Sequence, residues 1–464
     1  ANPVGLPDHP AGHAEGKAHA QGVPHDVLLA NATKALASYD GKVGILIRDH
    51  GEQVSYNAST YESIKKFITD LWPCTGLPAE LLAVDDGSYF IDAKHPFEEQ
   101  PQLDASLVDP WLKPWTLPAV PVTDPLGQGT LRQFGVDGHY YFAPGTGPGM
   151  GEGDLFEIIG LGSYREWLKM NNHSPRYEQG APSWTWLQYH VQKHFGDKVV
   201  VAFAHGVDPK MNPNETLEAA ARFLVQSKVT VVLDAYQSSI HSDAMNTNMM
   251  RPHAEHALHG AGYHGEILSV GQAGLNPSWG AAVAKRVDQL VADVNASVPL
   301  SVHLVQHGAN PKAESPCRSG PDQYHANAQA EFENSAKQIH QLLGQRGNIT
   351  VRHVYGQGAD ASDDGILSPL EALALDRQEG IRSVIMLPFE FWGDGVDTLV
   401  ALRESLGYTA TQAPYYDANF ETRFTTNGIA VRIAASQFET DLKSEALLGE
   451  IGKTLATLGT EAQP

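Results

Sequence analysis

The chain is short of cysteine, of basic residues and of long apolar runs. Cys74 and Cys317 are the only thiols in 464 residues, and neither has a second cysteine at CxxC spacing, which argues against a structural zinc site. One bond between them fits an exported protein, and two separate thiols fit the sequence equally well. The 32 Lys and Arg stand against 54 Asp and Glu, for a formal charge of -22. That balance argues against nucleic acid or an anionic membrane surface as the main partner and favours cations. No run approaches about 18 apolar residues, so no helical membrane span is expected. The chain begins at Ala1 rather than Met, as expected of a mature periplasmic or secreted product that has lost a signal peptide.

What the chain has is material for one large or two medium domains with cores of their own. Residues 1–26 are rich in Pro, Gly, Ala and His and bury too little to order themselves. They read as a disordered tail whose His9, His13, His19 and His25 either collect Ni, Cu, Zn or Co ions or are incidental. Beyond the tail, three apolar runs end in His-Gly: Lys42 to His50-Gly51, Lys198 to His205-Gly206 and Leu300 to His307-Gly308. An imidazole at the carboxyl end of a buried parallel strand stands on the rim where open α/β sheets bind ligands, and the adjoining Gly lets a ligand approach the backbone.

Hydrophobic spacing predicts helices over Val27–Tyr39 and Tyr61–Leu71 around a strand at Val43–Ile47. Residues 73–183 break the rhythm with Pro, Gly and aromatics, and such a stretch reads as an insertion. Alternation then resumes, with strands expected at Val199–Phe203, Val229–Leu233, Leu300–Val305, Ile349–Val354 and Val384–Leu387. The helices between and after them are expected at Asn214–Gln226, Ala281–Val294, Gln323–Leu343, Pro369–Gln378 and Val396–Leu406. Strand-helix repetition demands right-handed crossovers and mostly parallel sheets, so the fold class is α/β. Two sheets are expected, with a hinge near residues 265–280, halves at 27–265 and 266–435, and a final helix within 436–464 returning to the core.

Several motifs carry a family resemblance. Lys42 to Ile47 is similar to the opening strand of the class II chelatases, the ferrochelatase and cobaltochelatase group, and Asp234 to Thr247 resembles the Tyr-Pro-Gln-Tyr-Ser loop of that family. Leu304-Val-Gln-His307-Gly-Ala-Asn-Pro311 resembles its Ala-His-Ser-Leu-Pro motif, followed by Gly320-Pro-Asp-Gln-Tyr324. Ile366 to Leu370 resembles its Trp-Leu-x-Pro step, and Leu387 to Leu399 is similar to its Pro-x-x-Phe block with Ser-Asp-His-x-Glu-Thr-Leu. The likeness covers about residues 40–75 and 195–435. Gly395 stands where the family has His, and Asp397, one methylene shorter, where it has the catalytic Glu.

This resemblance implies two Rossmann-like half-domains with parallel four-stranded sheets flanking a central cleft. The implied activity is insertion of a divalent metal (Fe, Co, Ni or Zn) into a tetrapyrrole. The alternative is a non-catalytic periplasmic protein that carries haem, another tetrapyrrole or metal ions on the same scaffold. His307 and Asp397 would be the catalytic pair, an imidazole and a carboxylate able to bind metal and move protons. The metal set would be His307, Asp397, Glu390 and His205, and His50, Tyr236, Trp392 and Tyr324 would line the macrocycle. Each has a plainer use: His307 can satisfy backbone groups at a strand end, Asp397 can cap a helix and Trp392 can pack in the core. His256 and His259 share a helical face and suggest a weak metal site or a solvated surface. Asp360 to Gly365 lacks the spacing of an EF-hand and reads as a solvated acidic loop.

Overall fold

The computed structural model describes residues 23–49, 170–171, 173–205, 216–242, 246, 250–308, 323–356, 366–395, 397–408 and 414–458, and, by backbone alone, three strands between 119 and 142. The expected helix 61–71, His50, both cysteines, Asn214 and residues 360–365 lie outside these. In chain order the elements are α1 (His25–Ser38), β1 (Val43–Asp49), β2 (Ala119–Pro121), β3 (Arg132–Val136), β4 (His139–Phe142), α2 (Arg176–Phe195), β5 (Val199–His205), α3 (Leu217–Gln226) and β6 (Val231–Tyr236). There follow α4 (Arg251–Gly260), β7 (Glu266–Ser269), α5 (Pro277–Val291), β8 (Leu300–Gln306), α6 (Tyr324–Leu343), β9 (Ile349–Tyr355), α7 (Pro369–Gln378) and β10 (Ser383–Pro388). A π-helical turn (Asp397–Ala401) then runs into α8 (Leu402–Ser405), followed by the hairpin β11 (Thr422–Thr426) and β12 (Ile429–Ile433), and α9 (Thr440–Thr457).

The fold is α/β, with two mainly parallel sheets flanked by helices. The first sheet runs β5-β1-β6-β7, all parallel. The second runs β11-β12-β10-β8-β9, parallel except for the antiparallel edge β11. The strands β2, β3 and β4 form a separate antiparallel sheet. β1, β6 and β8 are buried along nearly their whole length, as expected of parallel strands covered on both faces, which are near-continuous apolar runs, and the polar residues they do carry, such as Arg48, Asp234 and His303, are paired. One apolar cluster takes Ile45 and Ile47 of β1, Val302 and Leu304 of β8, Trp279 of α5 and Leu447 and Ile451 of α9. Each such side chain contributes roughly 1.5–3 kcal/mol by leaving water, and α9 binds the two sheets into one core.

Several boundaries differ from expectation for local reasons. α3 is capped by Thr216, whose Oγ1 accepts from Ala219 N at 3.0 Å. The expected helix 396–406 begins as a π turn: the Thr398 hydroxyl is bonded to the Asp394 carboxylate and the Gly395 carbonyl, a competition with the backbone ladder that short polar side chains provide. β7 pairs with β6, so the first sheet reaches Ser269. The hairpin β11-β12 turns on Asn427-Gly428, both at positive φ (51° and 77°), the conformation a tight two-residue turn requires. Among the described residues no helix is long and apolar enough to cross a membrane.

Candidate functional site

The carboxyl ends of β8 and β10 open into a small recess lined by Val305, Gln306, His307, Gly356, Pro388, Phe391, Asp397, Thr398 and Leu402, with at most about 200 Å³ of open space. His307 leaves β8 immediately after its last ladder residue, and Asp397 starts the π turn that follows β10. The two residues singled out by the sequence thus line one recess.

Hydrogen bonds behind the recess fix its floor. His307 Nδ1 lies 2.7 Å from Gly308 O; a carbonyl only accepts, so Nδ1 bears the proton and Nε2 has acceptor character in the neutral ring. The backbone N–H of His307 donates to Glu390 Oε2 at 2.8 Å. Tyr324 Oη donates to the same oxygen at 2.6 Å and accepts from Gly308 N at 2.9 Å. Burial pushes the Glu390 carboxyl up, with Asp397 adding to the rise, while the donors Tyr324 and His307 restrain it. The side-chain amide of Gln306 donates to Glu331 Oε2 at 2.5 Å, and its carbonyl meets His353 Nε2. Glu331 is fully buried, and burial, then the charge of Glu390, lift its carboxyl to about 8. Burial lowers His353 to about 3, so it is neutral.

The other sequence candidates fall elsewhere. His205 ends β5 opposite Asp49 in register, and its Nδ1 lies 2.7 Å from Asp49 Oδ1. Its ring packs on Trp184 at 4.6 Å and Tyr177 at 5.3 Å. Tyr236 ends β6 under Arg48, whose guanidinium forms a bidentate pair with Asp234 at 2.6 and 2.8 Å. Burial raises the Tyr236 phenol to about 12, and the charges of Asp49 and Glu390 reach it from the two sheets. Trp392 packs against Trp279 at 5.2 Å, at the margin of the core. His259 stacks on His264 at 5.8 Å. Among the described residues no three His, Cys, Asp or Glu side chains come together as a metal site, so His307, Asp397, Glu390 and His205 do not converge as one ligand set there.

Sequence reasoning missed Gln306, Phe391 and Thr398 in the recess wall and Glu331 and Lys443 behind it. Gln306 carried a signal, an amide ending an otherwise apolar strand. Glu331 carried a weaker one, an acid on the buried side of an amphipathic helix.

No protein-family model matches the chain, and no curated protein matches it. It is similar to a solved structure titled "Crystal structure of a galactofuranose binding protein", at 12% identity over 50% of this chain and 68% of that one, with a TM-score of 0.21. It is also similar to a sugar transporter from Clostridium phytofermentans, at 11% identity over 50% of this chain and 91% of that one, with a TM-score of 0.17. These titles name sugar-binding and sugar-transport proteins, and the expectation of a ferrochelatase-like enzyme or haem carrier is corrected accordingly. The geometry of the described residues agrees with that correction. Trp392, expected to stack on a macrocycle, is packed against Trp279.

Proposed function

We propose that the protein binds a small hydroxylated molecule of monosaccharide class, outside the cytoplasm, in the recess between β8, β10 and the π turn. The observation that carries this reading is the meeting of Asp397, His307, Gln306, Thr398 and Phe391 around one recess. A carboxylate accepts from ligand hydroxyls and an imidazole Nε2 accepts or, protonated, donates, while Gln306 and Thr398 spend their polar groups on Glu331, His353, Asp394 and Gly395 and hold the wall in shape.

Calorimetric titration of a pentose and hexose panel, D-galactose first, tests this. A binding sugar should lose about 10- to 100-fold in affinity with Asp397→Asn, the equivalent of roughly 1.5–3 kcal/mol for a hydrogen bond to a charged group. No binding across the panel, or binding indifferent to Asp397→Asn, removes the recess from consideration.

A further inference from the structure

The wall of the recess is held from behind by a lysine that does not line it. Phe391 and Asp397 belong to one strap, residues 389–397, between the end of β10 and the π turn. Lys443, on α9, sends its Nζ to Phe391 O at 2.6 Å and to Ser436 O at 3.0 Å. The side chain is 1% exposed and lies over the rings of Phe438 at 3.7 Å and Trp279 at 4.9 Å. The same strap is tied at Asp394, which accepts from Ser436 N at 2.8 Å and from Thr398 Oγ1 at 3.1 Å, and whose own N–H donates to Gln179 Oε1 at 2.6 Å.

A methionine or leucine would fill this position without the cost of burying an amine, and such replacements for buried charge are often neutral or stabilising. What an apolar side chain lacks is a donor that fixes one particular carbonyl. We propose that Lys443 is the positioning residue of the recess, setting where Phe391 and the strap leading to Asp397 lie and thereby the affinity for the ligand. This rests on the reading that the recess is the ligand site. The charged groups facing the amine are Asp394 from the strap, Glu331 from α6 and Arg286 from α5. Burial is the largest influence on it, and brings its titration down to about 7 despite the two acids. The charge-assisted bond to Phe391 O is therefore full below neutrality and weakens above it.

Carbonyl-¹³C phenylalanine labelling, with Phe391 assigned by its loss in Phe391→Leu, reads the strap without any ligand. In the wild type the Phe391 carbonyl resonance should titrate with a midpoint near neutrality; in Lys443→Met it should be displaced and independent of pH. A wild-type resonance that does not titrate there, or one unchanged by Lys443→Met, overturns the proposal, and the wild-type arm holds even if the variant folds poorly. With D-galactose, or the sugar of the panel that binds, affinity should fall about 10- to 100-fold in Lys443→Met, and in the wild type between pH 6 and 8.5. Affinity equal to wild type in Lys443→Met, where Asp397→Asn still weakens binding, removes the positioning role and leaves the recess standing. Binding indifferent to Asp397→Asn removes the recess reading and the affinity claim with it, while the carbonyl titration still decides whether Lys443 governs the strap.

Discussion

Replacing Glu331 with Gln should make the protein more resistant to alkaline destabilisation. The carboxyl is fully buried behind Gln306, and burial followed by the Glu390 charge lifts it from 4.5 to about 8. Its folded value therefore lies above its unfolded value, and between those two pH values the folded state binds more protons than the unfolded one. The stabilisation is fully present below about pH 4.5 and is lost as pH rises through about 8. A difference of three to four units at about 1.4 kcal/mol each sets a ceiling near 5 kcal/mol. Because the proton belongs jointly to Glu331 and Glu390, and because buried sites relax on ionising, a loss of about 2–3 kcal/mol between pH 5 and pH 9 is the reasonable expectation. Glu331→Gln keeps an acceptor for Gln306 and removes the titration. Urea midpoints at pH 5, 7 and 9, compared at equal slope, should converge or favour the wild type at pH 5 and favour the variant at pH 9. Parallel midpoints at all three pH values would show that Glu331 is ionised in the native state, and the argument would fail.

Two further substitutions test the surroundings. Asp234→Ala strands Arg48, which is 2% exposed and held by a bidentate pair, and should cost about 3–5 kcal/mol in thermal unfolding; the double change Arg48→Met with Asp234→Leu should recover most of it, and a double variant as unstable as the single one would refute the charge-stranding account. Gly274→Ala would place a Cβ 2.6 Å from Glu331 Oε1 and 2.9 Å from the backbone oxygen of Ser239, so a loss of about 1–3 kcal/mol is expected, and a variant as stable as wild type would show that the Glu331 side chain moves freely.

The parallel strands were legible because their runs of Val, Ile and Leu dominate even where Ser, His or Arg interrupts them: β1, β8 and β9 agree with their expected spans to within two residues. α7 matches its expected span, and its Ser368 capping box with Glu371 explains why its start was so clear. Where other forces decide, the pattern misleads. α2 starts at Arg176, within the stretch that reads as insertion, and runs through an internal Pro182 to Phe195, because Trp184, Leu187, Val191 and Phe195 beyond that stretch pack it into the core and tertiary burial outweighs local propensity. β7 reads Glu-Ile-Leu-Ser and is half-exposed at a sheet edge, too short and polar to stand out. The Asn427-Gly428 turn was a usable signal for the hairpin. Of the site, His307 and Asp397 came from motif and strand-end reasoning. Lys443 and Glu331 could not, because a charged residue in an amphipathic helix reads as solvated until the packing around it is known.

Charge is buried in two ways in the second half of the chain. Between β8 and α7, His303 meets Asp376 at 2.6 Å and Arg352 meets the same carboxylate at 2.7 Å. There the acid is matched by a cation, and its carboxyl is held below the usual range by those two partners. At the carboxyl end of the same strand, Glu331 and Glu390 accept from Gln306, Tyr324 and the His307 backbone rather than from a basic side chain. Lys443, close enough to feel Glu331, spends its donors on carbonyls. Both arrangements bury their acids to a similar depth, so burial alone cannot account for the difference. The recess proposed as the ligand site lies in front of the second arrangement, where acids and an amine shift their protonation rather than neutralise one another, as groups at functional sites often do.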